Sequence, residues 1–239
     1  MMIGLLVILL ISWGLLFLLE KKNLFAIGIV PSPRHLVQFV LGLVSLMLIC
    51  GALVRIETEI MSVKWEFRGI KYPLFLEAFG YHLRSALTED LVFRGALLYI
   101  LIRRLGAKWA ILVSAICFGI YHVFSYGITG ERWILIGYIV LITGFTGYVW
   151  AYAFHKTKSI YFGLGLHVGY NMLMACFYEA QPYGELLFSE LSKTDLSEPA
   201  KSYYSIFRGL FPTAMTLILL KVILTSGFMK PSENKKETA

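Results

Sequence analysis

The stretch WILIGYIVLITGFTGYVWAYAF, Trp133–Phe154, carries no charged residue from end to end. A helix crosses the bilayer core with about 20 apolar residues. Lipid offers no partner for backbone N–H and C=O groups, so a continuous apolar run of this kind has to close its hydrogen bonds as a helix. The same reading extends outward to Met1–Leu19, which ends at Glu20-Lys21-Lys22, and to Leu36–Val54, Trp109–Tyr126, Ser159–Tyr178 and Leu210–Phe228. One more helix, Tyr81–Ile102, is apolar in its C-terminal half but interrupted by charge in the middle. The expected fold is therefore all-α, a polytopic transmembrane helix bundle of about seven spans. Residues 1–229 form its single domain, with a motif core at about 80–178, and 230–239 form a polar tail.

Composition agrees. Charged residues make up 15% of the chain, where a soluble domain carries about 25%, and the mean hydropathy is +0.71. The net charge of +7 lies in loops flanking the spans, which is membrane topology rather than a nucleic-acid surface. Cys50, Cys117 and Cys176 lie in apolar runs without metal spacing, so they are expected as small core residues. The first run lacks a basic n-region and a small-residue cleavage site, so it is expected to stay as an anchor. Lys and Arg bias the loops 11 to 8, which favours an N-terminus outside and a C-terminus inside. Segment 55–80 mixes charge with Trp65, Phe67, Tyr72 and Phe75 and contains Pro73, so it is expected along the interface.

Ionisable groups inside spans cost on the order of 2.5–3.5 kcal/mol each on insertion scales. Three helices carry them nonetheless, as Thr88-Glu89-Asp90-Leu91-Val92-Phe93-Arg94-Gly95, Phe118-Gly119-Ile120-Tyr121-His122 and His167-Val168-Gly169-Tyr170-Asn171. Asp90 and Arg94 stand four apart and can pair on one face. Glu89 points about 100° away, free to face a cavity. His167 and Asn171 share a face, as do Phe118 and His122. Polar glue between helices explains one such residue. It does not explain a free Glu, two His and an Asn spread over three spans.

In order, these segments read Glu89-Asp90-x-x-x-Arg94, Phe118-x-x-x-His122 and His167-x-x-x-Asn171. They resemble the three motifs of the CPBP family of glutamic intramembrane proteases, which includes CAAX-processing endoproteases and bacteriocin-processing and immunity proteins. The likeness covers about residues 27–178. It departs at Asp90, where the family usually has Glu. The resemblance implies a membrane-embedded endopeptidase in which Glu89 and His122 activate a water and His167 and Asn171 stabilise the oxyanion. Asp90, Arg94, Phe93 and Phe118 would then support the site. No cofactor is implied. The donor chemistry leaves a zinc alternative at Glu89, His122 and His167, a set that suits a catalytic zinc. A second alternative is a catalytically silent membrane scaffold or regulator of the same fold. A transporter is disfavoured, because the chain shows no internal repeat. The implied partners are membrane lipids and a peptide or membrane-protein substrate with an apolar or lipidated segment, and the implied location is a bacterial cell membrane. His35, His82 and His155 lie near loops and are expected to be solvated. Lys221 is expected to snorkel.

Overall fold

In the computed structural model, which describes residues 2–225, each apolar run folds as a helix. The order is α1 (Met2–Glu20), a 3-10 turn (Leu24–Ile27), α2 (Pro33–Met61), β1 (Lys64–Phe67), α3 (Tyr72–Arg94) and α4 (Ala96–Leu105). It continues with α5 (Ala107–Ser125), α6 (Trp133–Thr157), α7 (Tyr161–Phe177), β2 (Phe188–Ser192) and α8 (Ala200–Thr225). Of these, α1, α2, α5, α6 and α8 are long and apolar enough to cross a membrane. With the charged α3 and the shorter α7, the count matches the expected bundle. The polar tail at 230–239 lies outside the described residues.

Two glycine-lined contacts set the frame. On α7, a Cβ at Gly165 would overlap the Phe39 carbonyl of α2, and one at Gly169 would overlap the Leu43 carbonyl. Gly42 of α2 meets α7 in the same way, at Phe162. The two backbones therefore touch, as small residues permit in membrane bundles. The second contact joins α5 to α6, where a Cβ at Gly119 would stand 2.5 Å from the Val140 carbonyl oxygen. Leu46, Cys50, Phe118, Val149, Phe162, Leu166 and Leu220 close the core between α2, α5, α6, α7 and α8.

The expected helix Tyr81–Ile102 is in fact two. α3 starts earlier, with Pro73 in its first turn, and ends at Arg94; Gly95 separates it from α4. A Cβ at Gly95 would overlap the Leu91 carbonyl oxygen, so this sharp turn admits only glycine without rearrangement. A helix end leaves carbonyls without partners, and Ser114 of α5 donates to the Phe93 carbonyl at 2.8 Å. The break thus fixes the end of α3 against α5.

Segment 55–80, expected along the interface, is built largely of regular elements. It divides into the last turns of α2, the strand β1 and the start of α3. β1 pairs antiparallel with β2, Phe67 opposite Phe188. This hairpin-like cap packs Trp65 and Phe188 on Phe177 at the end of α7. At the opposite end, Glu20 holds both Arg103 (2.6 Å) and Arg104 (3.1 Å) and ties α1 to α4. Cys50 and Cys176 are buried as expected, whereas Cys117 is exposed on the outside of α5. A small thiol on a lipid-facing surface needs no core, which is why position in an apolar run misplaced it.

Candidate active site

The Gly95 turn and the α2–α7 contact bring three motif helices together. α3 supplies Glu89, Asp90, Phe93 and Arg94, α5 supplies Phe118 and His122, and α7 supplies His167 and Asn171. Asp90 and Arg94 are each 1% exposed. They pair within the helix, with Arg94 Nη1 donating to Asp90 Oδ1 at 2.5 Å. The guanidinium lies over the ring of Phe118 at 4.0 Å and over that of Trp150 at 4.9 Å. A buried cation needs a carboxylate and compensating contacts, and the two aromatic faces supply the latter.

His167 completes this cluster. Its Nδ1 is 3.5 Å from Asp90 Oδ1 and its Nε2 is 3.9 Å from Glu89 Oε2. Its ring lies on Trp150, with centroids 4.5 Å apart. Asp90 therefore faces two partners, Arg94 and His167. Glu89 Oε2, Asp90 Oδ2, Arg94 Nε and Nη2, and His167 Nδ1 are buried without a protein hydrogen-bond partner. Native interiors pair nearly all such atoms. Among the described residues only Gln38 Oε1 and His155 Nδ1 share that condition, so the orphaned atoms concentrate at this one place.

His122 is arranged differently. Its Nδ1 is 2.8 Å from the Phe118 carbonyl oxygen. A carbonyl only accepts, so Nδ1 carries the proton and Nε2 of the neutral ring keeps its lone pair. Phe118, Tyr121 and Tyr126 surround the ring edge-on, with centroids between 4.4 and 5.2 Å away. Phe93 packs on Phe118 at 5.2 Å and so backs this wall.

His122, His167 and Asn171 share one cavity of about 770 Å³, enclosed by α2, α5, α6, α7 and α8. Its walls are apolar at Leu46, Leu53, Ile139, Ile142 and Met174, and polar toward Glu57, Tyr178 and Arg208. Glu89 does not line it. The carboxylate sits behind His167 and opens on a smaller cleft of about 230 Å³ bounded by Gly4, Leu5, Ser85, Thr88 and Tyr121. Among the described residues no three His, Cys, Asp or Glu side chains converge as metal ligands, the trio Glu89, His122 and His167 included.

Three residues escaped the sequence reading. Trp150 sits in an uncharged run where nothing separates it from a lipid-facing aromatic. Glu57 lies just past an apolar run and was placed at the interface, yet it is 5% exposed. His82, expected to be solvated, is 2% exposed, its Nε2 3.1 Å from the Pro182 carbonyl oxygen. The loop after α7 folds back over α3 and buries it. His35 keeps a partner in the Val30 carbonyl, and His155 is half-buried. Lys221 is exposed along α8.

The fold and this cluster define a multi-pass helical membrane protein with a polar site among its helices. Residues 71–173, which contain all three motifs, match the family model described as type II CAAX prenyl endopeptidase Rce1-like. The match spans a little under half of the chain and is to a CAAX-protease family, the kind that its motifs resemble. No curated protein and no solved structure matches the chain.

Proposed function

We propose that this protein is a glutamic intramembrane endopeptidase that hydrolyses a peptide bond by direct attack of water. The observation that carries the reading is the set of orphaned polar atoms on Glu89, Asp90, Arg94 and His167 beside a cavity that also receives His122 and Asn171. Buried groups of this kind are satisfied by a small polar ligand such as water. Glu89 is the base for that water and the free Nε2 of His122 accepts from it, which requires the carboxylate to turn from its own cleft past His167 toward the cavity. His167 and Asn171 donate to the oxyanion, a contribution worth about 2.7–4 kcal/mol per donor in known sites. Asp90 holds His167 by its Nδ1 side and Arg94 neutralises Asp90. Apolar walls beside these groups suit a substrate with a lipidated or apolar segment, such as a prenylated-cysteine, leader or bacteriocin-type peptide in a bacterial cell membrane.

The test is cleavage by the purified protein of a prenylated-cysteine peptide and of leader peptides, compared with Glu89→Ala and His122→Ala. Each substitution is expected to lower kcat by about 10²–10⁴. Cleavage that persists in Glu89→Ala would sink the mechanism. A chelator in the same assay is expected to leave activity intact; loss restored by zinc would favour the metal alternative. Absence of cleavage in the unsubstituted protein, against every peptide, would favour the scaffold reading.

A further inference from the structure

Two separate spaces flank His167. The cavity of about 770 Å³ receives His122, His167 and Asn171, whereas Glu89 lines the cleft of about 230 Å³ between α1, α3 and α5. The two spaces share no lining residue. Tyr121 borders the cleft and stands against the wall of the cavity, its ring 5.2 Å from that of Phe93 and 5.2 Å from that of His122. Glu89 reaches His167 at 3.9 Å from the side away from the apolar space that suits a substrate.

The cleft is polar on its α3 side and loosely filled on its α1 side. On α3, Arg84, Ser85 and Thr88 recur three and four apart and share a face with Glu77, seven before Arg84. Glu77 and Arg84 are exposed, and Ser85 and Thr88 are partly so. Ionisable side chains on a membrane helix face the bundle interior or water-filled space rather than lipid. On α1, a Cβ at Gly4 would meet nothing within 4 Å, so the helix leaves room there. Gly4 is sixteen positions from Glu20, which ties α1 to α4 at the basic end. That is about 24 Å at 1.5 Å per residue, in a hydrocarbon core of about 30 Å. The cleft therefore lies toward the end that carries the β1–β2 cap, and the polar stripe of α3 runs from Glu89 to that end.

We propose that this cleft delivers the hydrolytic water to Glu89, by a route separate from the cavity that holds the peptide. The inference rests on the endopeptidase reading and deepens it. Each turnover consumes one water. Its oxygen bonds to the carbonyl carbon, the C–N bond breaks, one proton passes through Glu89 to the leaving amine, and the second hydrogen stays on the new carboxyl group. An apolar or lipidated chain that fills the cavity shuts water out from that side, so supply from the cleft keeps the base wet. Glu89 takes up water while it faces the cleft and brings it to the cavity as it turns past His167.

The test uses the full chain with its native cysteines replaced, in phosphatidylcholine vesicles. A single cysteine is placed by Ser85→Cys in the cleft, by Thr143→Cys in the cavity, or by Ile116→Cys on the exposed apolar flank of α5. The reagent is a small cationic methanethiosulfonate, which captures the thiolate that forms in contact with water. Ser85→Cys and Thr143→Cys are expected to react at least roughly 10-fold faster than Ile116→Cys. A farnesylated-cysteine peptide amide should slow Thr143→Cys and leave Ser85→Cys unchanged. A Ser85→Cys thiol that reacts no faster than the Ile116→Cys thiol overturns the proposal, because lipid then fills the cleft. Protection of both thiols by the peptide also overturns it, because the two spaces are then one. Cleavage of the same peptide supplies a second arm. Ser85→Leu, which plugs the cleft, should lower kcat about 10-fold with KM unchanged, and Ser85→Thr should keep the parent rate. An unchanged kcat in Ser85→Leu overturns the route. The labelling result stands whether or not the peptide is cleaved, so failure of this route and failure of the endopeptidase reading are told apart.

Discussion

Asp90 faces Arg94 on one side and His167 on the other, so its loss strands both. Removing one partner of a buried pair costs about 3–5 kcal/mol. Asp90→Ala is therefore expected to lower the unfolding temperature in detergent sharply, whereas Asp90→Glu, which restores the family's usual residue, keeps the fold. If Asp90→Ala unfolds like the parent, the pair is not what holds α3. Trp150 makes a different kind of contribution. It touches Arg94 and His167 but does not react. Trp150→Leu is expected to lower kcat more than it raises KM, with Trp150→Phe recovering most of the loss. Equal changes in both substitutions would mean the ring only fills space. At this scale the sequence was informative where spacing creates the pair, as with Asp90 and Arg94. It was silent where contacts are long-range, as for Trp150 on α6 against His167 on α7.

Helices follow the same division. Lipid forces the apolar runs to be helical, so α1, α5, α6 and α7 were legible to within a few residues, whereas α2 runs seven residues past Val54 and α8 begins ten before Leu210. The Gly95 break was not, because a glycine inside an apolar run reads as a tolerated helix residue until the Leu91 carbonyl is seen against it. The β1–β2 pair was hidden for another reason, since its strands are four and five residues long and far apart in sequence. Element packing makes its own forecast. Gly165→Ala, whose Cβ would overlap the Phe39 carbonyl, should cost about 1–3 kcal/mol. Gly51→Ala on the neighbouring helix meets nothing within 4 Å and should be neutral or slightly stabilising. Thermal unfolding of the two side by side checks the contrast, and equal midpoints would contradict the α2–α7 contact.

For the whole molecule, the cavity and the basic loops lie at opposite ends. Glu57, Tyr178, Lys193 and Arg208 border the cavity, while Lys21, Lys22, Arg103, Arg104, Lys108, Lys156 and Lys158 sit at the helix ends and connections of the other end. By the loop bias in Lys and Arg, the cavity is expected to open to the outside. A cysteine placed at Lys193, in a chain whose native cysteines are replaced, should react with an impermeant maleimide in intact cells. One at Lys108 should react only after lysis. The reverse pattern would put the mouth in the cytoplasm. Orientation was only weakly legible in the sequence, because the two loop sets differ by three basic residues; the placement of the cavity at one end comes from the three-dimensional packing alone.

The backbone contact between α2 and α7 has a mechanical meaning. Helices that touch through Gly42, Gly165 and Gly169 have no side-chain layer between them to shear, so that pair behaves as a rail. Any widening that admits a bulky chain falls to the far wall, where α8 meets its neighbours through side-chain ties such as Thr146 to Thr213 and Tyr138 to the Ser205 carbonyl. A disulfide engineered between α6 and α8 should stop turnover until it is reduced, and one between α2 and α7 should pass unnoticed. The half of the bundle that carries His167 and Asn171 should stay put while the other half yields.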